Sequence, residues 1–216
     1  MSRPVIGVSD AGTSLIYRSA LGYESLMRAL YGRHYGARMQ MVAERVPDGA
    51  AVLELCCGPG TLYLRHLRGR VSRYTGLDVN AGFVSRLQER GVDARVVDLT
   101  NAGEPLPTAD VVIIQASLYH FLPDAAALLE RMLGAARRRV IVAEPVRNLA
   151  SSRITVVAGL GRRGADPGVG GHAQRFDESS LAELMERYRD RTEESVAIPG
   201  GRERIYVLAG GGPVPA

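Results

Sequence analysis

The sequence predicts an α/β protein built on a doubly wound, mostly parallel sheet. Three features predict it: short apolar runs alternating with helical patterns, a glycine turn joining the first run to a helix, and a hairpin signature closing the chain. Residues 14–47 read mostly as helix, with Leu26, Leu30, Met39, Met41 and Val42 interleaved with Arg28, Arg33, Arg38 and Arg45, as on an amphipathic face. Pro47-Asp48-Gly49 breaks that pattern. AAVLEL (50–55) is a continuous apolar run that suits a buried parallel strand, and TLYLRHL continues it as a helix. YTGLDV (74–79) is a second strand, and Asn80 is placed to cap the helix AGFVSRLQER, which Gly91 ends. DARVVDL (93–99) is a third strand, and the Pro- and Gly-containing link after it is too short for a full helix.

DVVIIQA (110–116) is the most strand-like segment in the chain. Beyond Pro123, Asp124 is expected to cap a helix carrying Leu128, Leu129, Met132 and Leu133. RRVIVAEP (138–145) is a fifth strand, with the run RRR (137–139) read as a solvated helix end before it. The glycine-rich stretch AGLGRRGADPGVGG (158–171) reads as a mobile loop. Asp177 then caps ESSLAELMERYRD, and TEESVAIPG and RERIYVLAG form the closing hairpin around Gly200-Gly201. Seven strands result, with an antiparallel strand at the C-terminal end. Helices precede them as a cap over 1–47, the domain proper runs over 48–210 with a mobile segment at 145–175, and 211–216 is a disordered tail.

Composition removes several function classes. The chain has 216 residues, 46% hydrophobic and 23% charged, which suits one ordinary globular domain. No apolar run approaches the ~20 residues of a membrane span. The start carries no basic stretch followed by an apolar core, and cysteine occurs only twice, so the expected compartment is the reducing cytoplasm. Lysine is absent and arginine supplies all 27 basic charges, so Schiff-base chemistry and a phosphate-binding P-loop lysine are excluded. The net charge of +4 reads as arginine bias, not as a nucleic-acid surface.

The chemistry concentrates in VLELCCGPGTLYLRHL (52–67), which holds both cysteines. Adjacent cysteines bridge only with strain, and no CxxC, second pair or histidine cluster accompanies them, so neither metal binding nor disulfide chemistry is expected. A strand that ends in a glycine turn and opens a helix presents backbone N–H groups at the sheet's carboxyl edge. Asp78 ends the second strand, 20 positions beyond Gly58, where a carboxylate can bind ribose hydroxyls. The dinucleotide pattern G-x-G-x-x-G is broken because Tyr63 takes the third glycine's place. That argues against NAD or FAD and leaves room for a nucleoside without phosphates.

At this point the chain resembles the class I S-adenosylmethionine-dependent methyltransferases, a Rossmann-like fold. Their first motif, Glu/Asp-x-Gly-x-Gly-x-Gly, is matched by Glu54-Leu55-Cys56-Cys57-Gly58-Pro59-Gly60, with Cys56 in the first glycine's position. YRSALGYESL (17–26) resembles the Tyr-x-x-Ala-x-x-Tyr-Asp segment preceding the core in many small-molecule members. SLYHFLPD, RFDESSLAELM and GGRERIYVL resemble the segment after strand four, the last helix and the final strand pair. The resemblance covers residues 14–209 and implies S-adenosyl-L-methionine as cofactor. It places Glu54 at the methionine amino group, Cys56, Gly58 and Gly60 along the methionine moiety, Asp78 on the ribose diol and Val79 against adenine. Asp98 and Leu99 fall at the adenine amino group, Gln115 near the reacting sulfur, and Tyr17 and Tyr23 in helices that close over the cofactor.

His120 and Tyr119, just past strand four, fall on the substrate side, where a phenol or amine acceptor needs a proton removed. His120 is equally readable as a histidine bonded to nearby backbone. Glu144, ending strand five, either polarises a substrate or caps the next helix. His172 and Arg175 flank the glycine-rich loop. The resemblance implies methyl transfer to an O, N or C nucleophile of a small metabolite, with no metal and with the protein a monomer or homodimer. Two alternatives stay open: an RNA or protein methyltransferase, and a non-catalytic adenosylmethionine-binding or scaffold domain. QASLYHF stands where a DNA amino-methyltransferase carries Asp/Asn-Pro-Pro-Tyr, and no acidic cluster sits there to hold a catalytic metal.

Overall fold

A computed structural model describes residues 34–147 and 175–211. The expected seven strands form one sheet in the order β3-β2-β1-β4-β5-β7-β6. They are β1 (Ala51–Leu55), β2 (Arg73–Asp78), β3 (Ala94–Val96), β4 (Ala109–Gln115), β5 (Ala136–Pro145), β6 (Thr192–Ala197) and β7 (Glu203–Ala209). β7 pairs antiparallel with both β5 and β6, so the other six strands run the same way. The described helices are α1 (His34–Glu44), α2 (Ala81–Gln88), α3 (Ala125–Ala135) and α4 (Glu178–Glu186).

Strand alternation sends successive side chains to opposite faces, and two cores result. Leu53, Leu55, Val112, Ile114, Val140 and Val142 pack with Leu129 and Met132 of α3 and Leu181 of α4. Val52, Val111, Ile113, Ile141 and Ile205 pack with Val42 of α1 and Leu87 of α2 on the other side. Two of the three expected helix caps form. Asn80 Oδ1 accepts from the Gly82 and Phe83 amides at 2.9 and 3.1 Å. Asp177 and Ser180 form a reciprocal capping box at α4.

Several local expectations are corrected. TLYLRHL does not form a plain α-helix, because Tyr63–Leu67 winds as a π-helical turn in which the Arg68 amide reaches back to Tyr63 O at 2.8 Å. β3 is confined to Ala94–Val96, since Asp98 Oδ1 draws in the Thr100 amide (3.0 Å) and hydroxyl (2.6 Å) and turns the chain away. Asp124 stands at the start of α3, but its carboxylate caps no helix amide. The RRR run does not end a helix. It opens β5, where Arg137 pairs with Asp110 at 2.9 Å and Arg139 with Glu193 at 3.4 Å. Arg38, expected on a solvated face, is 3% exposed and pairs with the buried Glu203 of β7 at 2.6 Å.

Candidate active site

The carboxyl ends of β1, β2, β4 and β5 gather the described motif residues along one edge. After β1 the chain turns through Cys56 (φ +52°), Gly58 (φ +54°) and Gly60 (φ +70°). Gly60 suits this turn twice over: its φ is positive, and a Cβ there would sit 2.6 Å from Leu87 Cδ2, so the Leu87 side chain would have to shift. Cys57 lies under the turn against Gly76 of β2, whose own Cβ would stand 2.8 Å from the Cys57 sulfur. Both cysteines are free, and burial, the largest cause, pushes both thiols well above their ordinary values, as do the charges of Asp78 and Glu54. A thiol held in its protonated form by burial is a weak nucleophile. Among the described residues no three His, Cys, Asp or Glu side chains group to hold a metal ion.

Asp78 fixes the turn from the neighbouring strand. Its Oδ2 accepts from the Gly58 amide at 2.7 Å and its Oδ1 from the Asn80 amide at 2.8 Å. Burial raises its pKa, while those two amide bonds oppose the shift. Each oxygen keeps a second lone pair for a hydroxyl donor. Beside it, Val79 is 47% exposed, an unusual position for a large apolar side chain at the end of a buried strand.

Glu54 is buried in a polar chain. Tyr74 donates its hydroxyl to Glu54 Oε2 at 2.7 Å, and Gln115 Nε2 donates to Oε1 at 2.9 Å. Burial pushes the Glu54 carboxyl up to about 7, against the Tyr74 and Gln115 hydrogen bonds, which favour the charged form. Gln115 Oε1 is buried and unpartnered. Tyr63 stacks on Tyr74 with ring centroids 4.2 Å apart, so the side chain that breaks the dinucleotide pattern packs over the phenol holding Glu54.

The remaining motif residues are less concentrated. Asp98 is exposed and bonded within its own turn, while Leu99 is buried in the core. Tyr119 is 6% exposed; its ring lies 4.0 Å from that of His120, and the Arg175 guanidinium covers it at 3.8 Å. Glu144 is 0% exposed. Its Oε1 caps the turn after β4, not the next helix, accepting from the Ser117 and Leu118 amides at 2.6 Å each. Burial pushes its carboxyl up to about 7, opposed by those amides and by Arg38, and assisted by Glu203. Tyr17, Tyr23 and His172 lie outside the described residues. Sequence reasoning missed Tyr74, Arg38 and Glu203. Tyr74 was within reach, because a tyrosine at the same register as buried Val52 had to find a partner for its hydroxyl.

These residues fit an adenosylmethionine-like ligand on their own chemistry: Asp78 offers acceptor lone pairs to a diol, Val79 an apolar surface, and Gln115 a buried acceptor without a donor. No curated protein sequence matches the chain. Among solved structures, magnesium protoporphyrin IX methyltransferase from Synechocystis PCC 6803, with bound SAH, is 18% identical. The match covers 90% of this chain and 96% of that one, with a TM-score of 0.58. The mitomycin 7-O-methyltransferase MmcR is 20% identical over 94% of this chain and 62% of its own, TM-score 0.58. The N-methyltransferase NodS from Bradyrhizobium japonicum WM9 is 14% identical over 87% and 98%, TM-score 0.53. At these identities the likeness establishes the fold. The model of a methyltransferase domain family matches residues 27–188, spanning β1 to β5 and α4. With that match added to the motif order and the sheet order, the chain belongs to the methyltransferase-domain family, as a class I S-adenosylmethionine-dependent enzyme.

Proposed function

We propose that this methyltransferase transfers a methyl group from S-adenosyl-L-methionine to an O, N or C nucleophile of a small metabolite. The observation that carries the reading is the turn after β1, held open by Asp78 beside the exposed Val79 and the unpartnered Gln115 Oε1. The cofactor, when bound, supplies a methyl group on a sulfonium centre. Gly58 and Gly60 let the backbone approach the ligand closely, Asp78 takes the ribose diol and Val79 the adenine face. Glu54 and Gln115 serve the methionine end. The chain's work is then to hold the acceptor in line and to exclude water. Tyr119 and His120 stand after β4 as the groups nearest the acceptor, with His120 as base for a phenol or an ammonium.

The acceptor pocket falls to residues 145–175 and the N-terminal helical cap over 1–47, set against a methyltransferase domain at 48–210. Solved neighbours include both an O- and an N-methyltransferase, so neighbourhood leaves the nucleophile open. No described helix is long and apolar enough to cross a membrane, and the reading places the protein in the cytoplasm. A turnover screen of small phenols, amines and carboxylates, following adenosylhomocysteine release, tests the proposal. Release with at least one member supports it. Cofactor binding without turnover across the panel, or turnover with RNA or protein alone, overturns it.

A further inference from the structure

The turn after β4 is built around Glu144. Ala116 takes a left-handed conformation at φ +48°, which aims the next two amides, Ser117 and Leu118, at one point. Glu144 Oε1 occupies that point, 2.6 Å from both nitrogens. β5 grips the turn a second time, since the Ala116 amide donates to Ala143 O at 2.7 Å. The Ser117 hydroxyl closes the loop on Gln115 O at 3.0 Å. The chain then runs directly into the short helical turn Leu118–Phe121, which carries Tyr119 and His120. A left-handed alanine is strained and persists only where its surroundings fix it.

We infer that Glu144 is a positioning residue: its carboxylate fills the anion nest of the β4 turn and thereby sets where Tyr119 and His120 stand toward the acceptor. Glu144 does not act on the acceptor itself. It is 0% exposed, and the oxygen with partners is committed to backbone. The groups around it are Arg38 from α1, Glu203 from β7 and the protonated thiol of Cys56. The inference rests on the methyl-transfer reading for its effect on rate, while its structural half stands without it.

The test compares Glu144→Ala with Glu144→Gln in the full chain, because a carboxamide oxygen can still accept both amides. In Glu144→Ala, kcat falls by about 100-fold, the cost of misplacing a group near the reacting centre. KM for adenosylmethionine stays within a few fold, and hydrogen exchange at the Ser117 and Leu118 amides accelerates. Glu144→Gln recovers most of kcat and keeps both amides protected. Wild-type kcat in Glu144→Ala overturns the inference, as does a Glu144→Gln that is as slow as Glu144→Ala with its amides still protected, since charge is then what matters. If Glu144→Ala does not fold, Glu144→Gln decides alone, and loss of amide protection or of turnover overturns the inference. A wild type that turns over no acceptor defeats the functional reading only. Exchange then judges the clamp, and unchanged rates at both amides in Glu144→Ala overturn it.

Discussion

The turn after β1 and the turn after β4 each open with a non-glycine residue in the left-handed region, Cys56 at φ +52° and Ala116 at φ +48°. Each is held by a carboxylate at the end of the next parallel strand, Asp78 of β2 for the first and Glu144 of β5 for the second. The two acids are finished differently. Asp78 spends one oxygen on each of two turns, stays 8% exposed and lies beside an uncovered valine. Glu144 turns one oxygen on two amides, leaves the other unpartnered and is sealed in the core. One device thus does two jobs: at the open turn the acid can also meet a ligand, and at the sealed turn it can only hold backbone.

The largest expected effect separates those jobs. Asp78→Ala removes the acceptor for a diol and also frees the Gly58 amide. Charge-assisted hydrogen bonds are worth roughly 1.5–3 kcal/mol each, so adenosylmethionine affinity falls by about 100-fold or more in calorimetry. An affinity within threefold or so of wild type would make Asp78 a backbone clamp like Glu144 and erase the contrast. Next comes the open turn's need for glycine. Gly60→Ala places a Cβ 2.6 Å from Leu87 Cδ2 at φ +70°, whereas Gly58→Ala meets no atom within 4 Å. Strain and crowding together cost Gly60→Ala about 2–4 kcal/mol, seen as a Tm drop of several degrees, against about 1 kcal/mol for Gly58→Ala. Equal losses would show that crowding against α2 contributes nothing.

A pH effect of middle size follows from Glu54 beneath the open turn. Its folded pKa is about 7 against 4.5 for the free group. Between those values the unfolded carboxylate has lost its proton while the folded one keeps it, so stability falls as pH rises through that window. Glu144 adds a change of the same sign, and His66, whose pKa is lowered by burial and by Arg65 and Arg70, works against it. Glu54→Gln removes one contribution, so its unfolding free energy gains on wild type from about pH 5 to 7.5 by on the order of 1–3 kcal/mol, read as a rising difference in Tm. Parallel Tm curves would show that Glu54 titrates as an ordinary carboxylate. The smallest effect is at the first left-handed residue. Cys56→Gly relieves backbone strain but loosens the unfolded chain, so stability changes by less than about 1 kcal/mol.

The contrast between the two turns also marks what the sequence could reveal. Asp78 stands out because a fixed spacing from Gly58 puts it at a strand end, and the continuous apolar runs 111–114 and 140–143 announce buried parallel strands. Asn80 and Asp177 are recognisable as caps because capping is local chemistry. Ala116 gives no such signal, since nothing in an alanine announces positive φ. Arg38 looks like a solvated arginine until Glu203, 165 positions away, is brought beneath it by β7. The RRR run misled for a related reason. Three arginines suit a helix end, yet here they open a strand whose exposed side meets Asp110 and Glu193. Local rules reach as far as a turn or a cap; pairings set by sheet order lie beyond them.

The most direct measurement is a calorimetric titration of the wild-type chain with S-adenosyl-L-methionine. One site per chain with a dissociation constant in the micromolar range is the expected result, about −8 kcal/mol at 1 μM. The absence of saturable binding at millimolar cofactor would contradict both the ligand assigned to the open turn and the enzyme built around it.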